Sequence, residues 1–576
     1  MAEESNNPFG INITKRYVSS GGESELYRPQ HIGNHGSIEL VDYMGGDGTV
    51  ERVATAGHGA EIFSENPHRE DFIRHLSAKG IYEPFKSVQL KFSFQSPIET
   101  ALTFVYEPGI SVNEYSGRYS VMIDSSRSPP LENIRQSLTG KRLEERAEQI
   151  YNLLRQNRKE ASTKYQELIQ VDLARELARI GLGIDNDTKF FWKIDLLTLA
   201  NFVNKQRDLL DTKSHTKEYV ESVAETAKSV APYSWLALTH PELRKEMILS
   251  TPTDDKIVDG PLTEPVWKPS NTSRVTVPDL EKILFERQHF LNHGEFQVVD
   301  YMGDDSAFAQ AARTSYGAGT KTLGDDKNLI RSLVRDLHTS PIEMCELSFE
   351  SKAPVFIDPR QAGRHRTLDN HGFMGYMPIG SQFYEIPESE MKYQDRKNRQ
   401  GRGKYMDPED KEQIKNLSLG TLNAEKAASI KLRELGAPEE IVRLAKGVGF
   451  YTKRWRTGDT HNTGHFLRLR LDAHAQKEIR DYAQLVANAQ AAHTPIAHQA
   501  IQDYVISGMR LSVKEIELLR NMIQEGKITK DVDLSNIDIY KGVGFIVKKK
   551  DSEEKELSRE GQGFRAKLER IIRKSE

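Results

Sequence analysis

Asn34-His35-Gly36 recurs as Asn292-His293-Gly294, and Asp42-Tyr43-Met44-Gly45 recurs as Asp300-Tyr301-Met302-Gly303, both 258 residues downstream (292 − 34 and 300 − 42). Two matches at one offset mark a duplication. Arg179 pairs with Arg443 and Asp195 with Asp459 at an offset of 264 (443 − 179 and 459 − 195), so the second copy carries a few extra residues in between. The period is far beyond that of a solenoid, which makes each copy a domain, and a chain of 576 residues has room for two. The copies are placed at 25–250 and 280–512, after an N-terminal extension over 1–24. Residues 251–279, rich in Pro, Thr and Asp, read as a linker.

Inside each copy the periodicity changes from two to about 3.6. The runs VQLKFSF from Val88 and ELSFES from Glu346 alternate polar and apolar residues as half-buried strands do. The stretches from Leu143 to Gln170 and from Gln476 to Val505 have the spacing of amphipathic helices. The expected class is therefore α+β, a small antiparallel sheet covered by helices in each copy. Ser512 stands at the start of a third helical pattern, SVKEIELLRNMIQ, as its cap. The tail over 513–576 is highly charged and reads as helix or disorder.

Composition narrows the function classes. With 37% hydrophobic residues and a mean hydropathy of −0.61, the chain has no run of about 18 apolar residues and begins with an acidic, polar segment. No membrane association is expected, and the cytoplasm is the default location. A net charge of −4 gives no global reason for nucleic-acid binding. The single cysteine, Cys345, can form neither an internal disulfide nor a cysteine metal site, and its strand-like setting suggests a core residue; no metal is expected. The locally basic stretch from Lys392 to Lys404 reads as a solvated insertion loop.

The strongest chemical signal lies in copy two. Arg364-His365-Arg366 places three cationic or potentially cationic side chains in a row, an arrangement best explained by anionic oxygens opposite, phosphate above all. Arg360 and Gln361 precede it, and Ser340-Pro341-Ile342-Glu343, Arg443, His465, Arg470 and His474 lie elsewhere in the copy. Copy one has a different cluster, SVNEYSGRY, supplying Ser111, Asn113, Glu114, Ser116, Arg118 and Tyr119. The positions just before it are Tyr106, Glu107 and Pro108, which cannot cradle a phosphate, since one is anionic and another lacks a backbone donor.

Taken together, these segments resemble the flavin-dependent thymidylate synthase (ThyX) family, whose signature is RHRxxSxNExSxRY preceded by an Arg-Gln pair. Copy two matches the first half and continues with LDNHGFMGYM, while copy one matches only the second half. The family's NLRxDxHAQ stretch is similar to RLRLDAHAQ from Arg468 to Gln476; at the position of Arg470 copy one has Gln206 (470 − 264). The resemblance implies homotetramers with active sites between subunits. Here it implies one composite site, with the basic side from copy two and the NEYSGRY side from copy one. The reciprocal cleft would be dead, with Tyr106, Glu107 and Pro108 facing His371, Gly372 and Met374.

The implied reaction is methylation of dUMP to dTMP, with methylenetetrahydrofolate as one-carbon donor, NADPH as reductant and FAD as cofactor. The residues so assigned to dUMP are Gln361, Arg364, Glu114, Ser116, Arg118, Arg443 and Arg470, and those assigned to FAD are Arg364, His365, Arg366, Ser340, Ser315, Asn113, Glu114, Asp459 and His465. Arg470 is expected to be catalytic, stabilising negative charge as it develops on the uracil ring. Asp195 and Asp459 stand where the family has Asn, and an Asp beside a flavin phosphate is unfavourable unless protonated or turned away. Two other readings stay open: a catalytically silent flavin- or nucleotide-binding protein, and a flavoenzyme acting on another pyrimidine nucleotide. Two chains are expected to pair as a homodimer, a pseudo-tetramer of domains.

Overall fold

In the computed structural model, the residues described are 12–33, 36–55, 69–116, 121–122, 129, 131–210, 214–243, 261–262, 267–314, 326–358, 361–362, 368–370, 381–396, 402–525, 534–535, 540, 546–548, 555–557 and 559–573. They form two compact units, Met1–Ile501 and Gln502–Glu576.

The first unit holds both copies, and each has a five-stranded antiparallel sheet. Copy one uses β2 (Gln30–Ile32), β3 (Gly36–Met44), β4 (Gln89–Pro97), β5 (Ser111–Glu114) and β6 (Asp187–Asp195), in the order β2-β3-β4-β6-β5. Copy two repeats that order with β8 (Gln288–Phe290), β9 (Gly294–Met302), β10 (Glu346–Pro354), β14 (Tyr451–Asp459) and β11 (Asp369–Asn370). Even the bulges match: the β3–β4 register skips between Leu40 and Asp42, and the β9–β10 register skips between Val298 and Asp300. A bulge adds one residue and re-aims the side chains after it. Here those are the Asp-Tyr-Met-Gly motifs.

These motifs form the joint between the copies. Gly45 and Gly303 turn the chain at φ +74° and +75°, and a Cβ on Gly303 would meet Cys345 Sγ at 2.7 Å. Asp42 accepts a hydrogen bond from the Gly303 N–H of the other copy at 2.9 Å. The fully buried Arg274 lies 3.3 Å from Asp42 and 3.6 Å from Asp300, so its charge is compensated from both copies.

Two short arms are exchanged around this joint. β1 (Asn12–Thr14) pairs antiparallel with β7 (Ser270–Thr272). At the end of β1 Thr14 donates to Glu281 at 2.8 Å, and just beyond it Arg16 donates to the Tyr301 carbonyl at 2.9 Å. In return Thr272 donates to Glu23 at 2.7 Å, and the Arg274 guanidinium lies over the Tyr43 ring at 4.7 Å. The equivalences 16/274, 14/272 and 23/281 all keep the offset of 258, so the exchange is reciprocal.

Helices cover one face of each sheet. In copy one they pack on an aromatic core, with Phe94 and Phe190 stacked at 4.6 Å beside Phe104, Trp192 and Phe202. The helix expected from Leu143 runs over Leu143–Gln170 as read. That expected from Gln476 is broken at Thr494-Pro495 into Lys477–His493 and Pro495–Ile501, because Pro cannot continue the ladder. A further expectation is corrected in β10, which is buried along its whole length rather than on one face. Its polar residues meet copy one: Glu346 takes Lys193, Ser348 reaches Met44, and Glu350 pairs with Arg52. Burial alone would lower the Lys193 ammonium, but the neighbouring Glu346 and Asp459 more than offset it and leave it above its ordinary value.

Cys345 is buried, and burial pushes its thiol well above the ordinary range, as befits a core residue. The basic stretch after Lys392 is not a simple loop: β12 (Lys392–Gln394) and β13 (Arg402–Tyr405) pair as a hairpin. In the second unit Ser512 caps helix Val513–Gln524 as read from the sequence, and Glu515 completes a reciprocal capping box with it. Helix Arg559–Arg573 completes a small core there, with Phe564 and Leu568 against Leu518 and Met522.

Candidate active site

The described part of the site is built on two sides. On the copy-two side, Asp459 ends β14 and caps helix Thr460–Arg470; its Oδ1 accepts from the Asn462 N–H at 2.8 Å and its Oδ2 from Asn462 Nδ2 at 2.6 Å. Both carboxylate oxygens are thus engaged by the helix start. The helix then sets Arg470 in its last turn, where a cation is favoured by the exposed carbonyls. Arg470 Nη2 donates to the Gln361 carbonyl at 2.9 Å, and Gln361 Nε2 donates to Gln476 Oε1 at 3.0 Å. Three residues from two distant parts of the copy thus form one hydrogen-bonded group.

Gln361 is held from below. The Gln361 and Ala362 N–H groups both donate to the Ile357 carbonyl, and the adjacent Asp358 is fully buried against Arg456 and accepts from Ser351 at 2.8 Å. The segment that leads into Arg364-His365-Arg366 therefore starts from a fixed turn. His465 is exposed in the middle of helix Thr460–Arg470, and Arg443 lies half-buried on the short 3₁₀ turn Arg443–Ala445.

On the copy-one side, β5 runs along β6 and projects into copy two. The buried Asn113 donates through Nδ2 to the Ala311 carbonyl of helix Asp305–Thr314 and accepts from Ser340 Oγ at 3.2 Å. Ser340 belongs to the turn Thr339–Ile342, against which helix Thr460–Arg470 packs. Two residues assigned to FAD from opposite copies are thereby hydrogen-bonded to each other. Glu114 accepts from Thr188 Oγ1 at 3.0 Å. Loss of solvent raises its carboxyl, while Thr188 and the Arg179 charge pull it down; part of the side chain stays open to water. Ser116 follows, half-buried. Arg118, Ser315, Arg364, His365 and Arg366 lie outside the described residues, as do His371, Gly372 and Met374.

The reciprocal cleft has a different character. Asp369 pairs with Thr457 in β14 as Ser111 pairs with Lys193 in β6, so a carboxylate stands at the serine's register. Asp369 is exposed there, near Lys86 and Lys193 of copy one. At the positions matching Arg364 and His365, Tyr106 is 78% exposed and Glu107 is paired with Lys205 at 3.2 Å. Gln206, in place of Arg470, is buried.

The family model for thymidylate synthase complementing protein matches residues 39–233 and again 297–496, well over half the chain. The chain belongs to this family. Each match falls on one copy, so the thymidylate synthase complementing fold occurs here twice in tandem. Individual relatives are about half as long as this chain. A flavin-dependent thymidylate synthase of Wolbachia pipientis is 37% identical over 261 residues, 45% of this chain and 92% of that protein. Those of Rickettsia conorii and Ruegeria pomeroyi are each 38% identical, again over 45% of this chain and over 93% and 87% of theirs. Among solved structures, the UMP/dUMP methylase PolB from Streptomyces cacaoi, bound with 5-Br UMP, is similar at 28% identity over 36% of this chain and 93% of that one; its TM-score of 0.32 carries no weight. Three residues that organise the site were not singled out in the sequence: Gln476, Asp358 and Arg456. Gln476 closes the RLRLDAHAQ stretch and could have been read there, whereas the Asp358–Arg456 pair, 98 positions apart, has no local signal.

Proposed function

We propose that this enzyme methylates dUMP to dTMP at a single composite site per chain, using FAD, methylenetetrahydrofolate and NADPH. The observation that carries the reading is the joint at Asn113, where the strand opening the NEYSGRY segment is hydrogen-bonded to Ser340 and Ala311 of the copy that contains Arg364-His365-Arg366. FAD fits the donor set on this side: three cationic side chains suit its diphosphate, and Asn113 and Ser340 add neutral polar groups. When bound, it supplies the redox chemistry that no side chain can.

The chain's own residues bind and orient. Gln361, Arg364 and Arg470 from copy two hold dUMP with Glu114, Ser116 and Arg118 from copy one; of the two equivalent arginines, Arg179 is the one for its phosphate, and Arg443 goes with the reciprocal cleft. Arg179 acts within reach of Glu114, on the same side as the intact NEYSGRY segment. The Arg470 guanidinium, fixed by the Gln361 carbonyl, faces the charge that develops on the uracil ring as its C5 is alkylated. Gln476 orients Gln361. Two chains pair as a homodimer, bringing four domains together.

The test is stoichiometric and catalytic. Purified protein should hold about one FAD per chain, where two live clefts would give about two, and should convert dUMP to dTMP with NADPH oxidation dependent on methylenetetrahydrofolate. Protein that takes up no FAD, or that turns over UMP while leaving dUMP untouched, overturns the reading.

A further inference from the structure

Behind the Gln361–Gln476 pair lies a cavity of about 310 Å³ that the nucleotide assignment does not use. Its walls are apolar and aromatic: Phe356 and Tyr384, with ring centroids 5.5 Å apart, face Met391, Met406 and Ile414, and Gln476 stands at the edge. The charged side chains that line it cancel, Lys392 and Arg402 against Glu390 and Glu478. Arg402 donates to both oxygens of Glu478 at 2.7 Å and to Glu390 at 2.9 Å, and Tyr384 donates to Glu478 at 2.9 Å. With two carboxylates in the same wall an anion inside the cavity would meet no net positive charge, whereas an uncharged flat ring would meet rings and thioethers.

The outer face of the same hairpin is different. Arg396 and Lys404 are exposed there, with Asp395 as a carboxylate among them, while Lys392, at the rim of the cavity, lies over the Tyr405 ring at 4.5 Å. An apolar slot that continues into a basic surface selects a ligand with an uncharged aromatic ring followed by carboxylates. Of the reactants in the proposed reaction, the reduced folate has that build: an aminobenzoyl ring between the pteridine and a tail of γ-linked glutamates. dUMP is anionic and polar throughout, and the adenine of FAD or NADPH is flanked by phosphates on a sugar.

We propose that the cavity bounded by Phe356, Tyr384 and Ile414 seats the aminobenzoyl ring of the folate substrate, and that the β12–β13 hairpin binds its oligo-γ-glutamyl tail. This rests on the function proposed above. The pteridine end, which carries the one-carbon unit, is then left on the Gln476 side, where Gln361 and Arg470 stand. The hairpin becomes a device for preferring folates with long tails.

The experiment is calorimetric titration of the full-length, FAD-loaded protein with tetrahydrofolate monoglutamate and triglutamate, after dUMP binding has been measured on the same sample. The triglutamate is expected to bind about tenfold more tightly at low salt, as exposed ion pairs contribute modestly each, and the gap should close at high salt. Charge reversal in Lys392→Glu/Lys404→Glu should remove the preference, and Ile414→Trp, which fills the cavity, should weaken both folates at least fivefold. Equal affinity for the two folates, indifference to both variants, or competition by NADPH for the cavity would overturn the inference while leaving the dUMP reading intact. Failure of the wild-type protein to bind dUMP would overturn both.

Discussion

Copy one and copy two share strand order, bulge position and capping aspartates, yet they differ at the places that matter for binding. Copy one keeps an aromatic core, whereas copy two, at the positions of Phe190 and Trp192, has the buried Arg454 and Arg456 (454 − 190 and 456 − 192 are both 264). Arg456 and Asp358 in turn fix the start of the Gln361 turn. Where copy two has Arg470, copy one has Gln206, and where copy one has Ser111, copy two has Asp369. A shared scaffold has been kept in both halves while each retained one side of a cleft. A sheet tolerates such divergence because strand pairing depends on backbone groups and needs only a compatible pattern of faces.

The sharpest way to break this comparison is at the buried charge that copy one lacks. Asp358→Ala should cost about 3–5 kcal/mol in urea unfolding because it removes the carboxylate against which the Arg456 charge is buried, while replacing both residues by Leu should recover most of the loss. If the single variant is as stable as the parent, the pair does not anchor the turn. Next, Arg470→Ala should lower kcat by about 10²–10³, the scale for removing one donor to developing charge. Gln206→Met in copy one should change it less than twofold, and equal losses from the two would mean that both clefts work.

Acid gives a smaller and graded effect. Burial pulls His493 in copy two down to about 4 from its ordinary 6.5, and its Nε2 is 2.9 Å from the Gly303 carbonyl at the joint. A base with a depressed folded pKa contributes stability that is complete above pH 6.5 and is lost as pH falls towards 4. Thermal unfolding between pH 7 and 4.5 should show His493→Gln losing about 2–3 kcal/mol less than the parent. Parallel curves would exclude His493 as the source. Smallest of all, Asp195→Ala and Asp459→Ala should each cost about 1 kcal/mol through loss of a helix cap, and Asp→Asn at either position should cost less. A large loss of FAD affinity in Asp459→Asn would show that the carboxylate does more than cap.

The duplication, the α+β class, the helix from Leu143 and the Ser512 cap were legible in the sequence because each depends on local pattern or fixed offset. The polar face of β10 was misread: alternation shows that one face is polar, but not that a second domain buries it. The arm exchange was invisible for a related reason, since Thr14 and Glu281 are far apart in sequence and neither is unusual where it stands. For the site, family resemblance marked Gln361 and Arg470, whereas the Asn113–Ser340 bond needed the relative placement of two domains.

The exchanged arms carry a consequence for how such a chain is made. When the first half has left the ribosome, Tyr43 and Glu23 still lack Arg274 and Thr272, and Arg16 has no Tyr301 to cover. Each half thus finishes the other, so a gene cut at the linker should yield fragments that stay incomplete apart and recover on mixing.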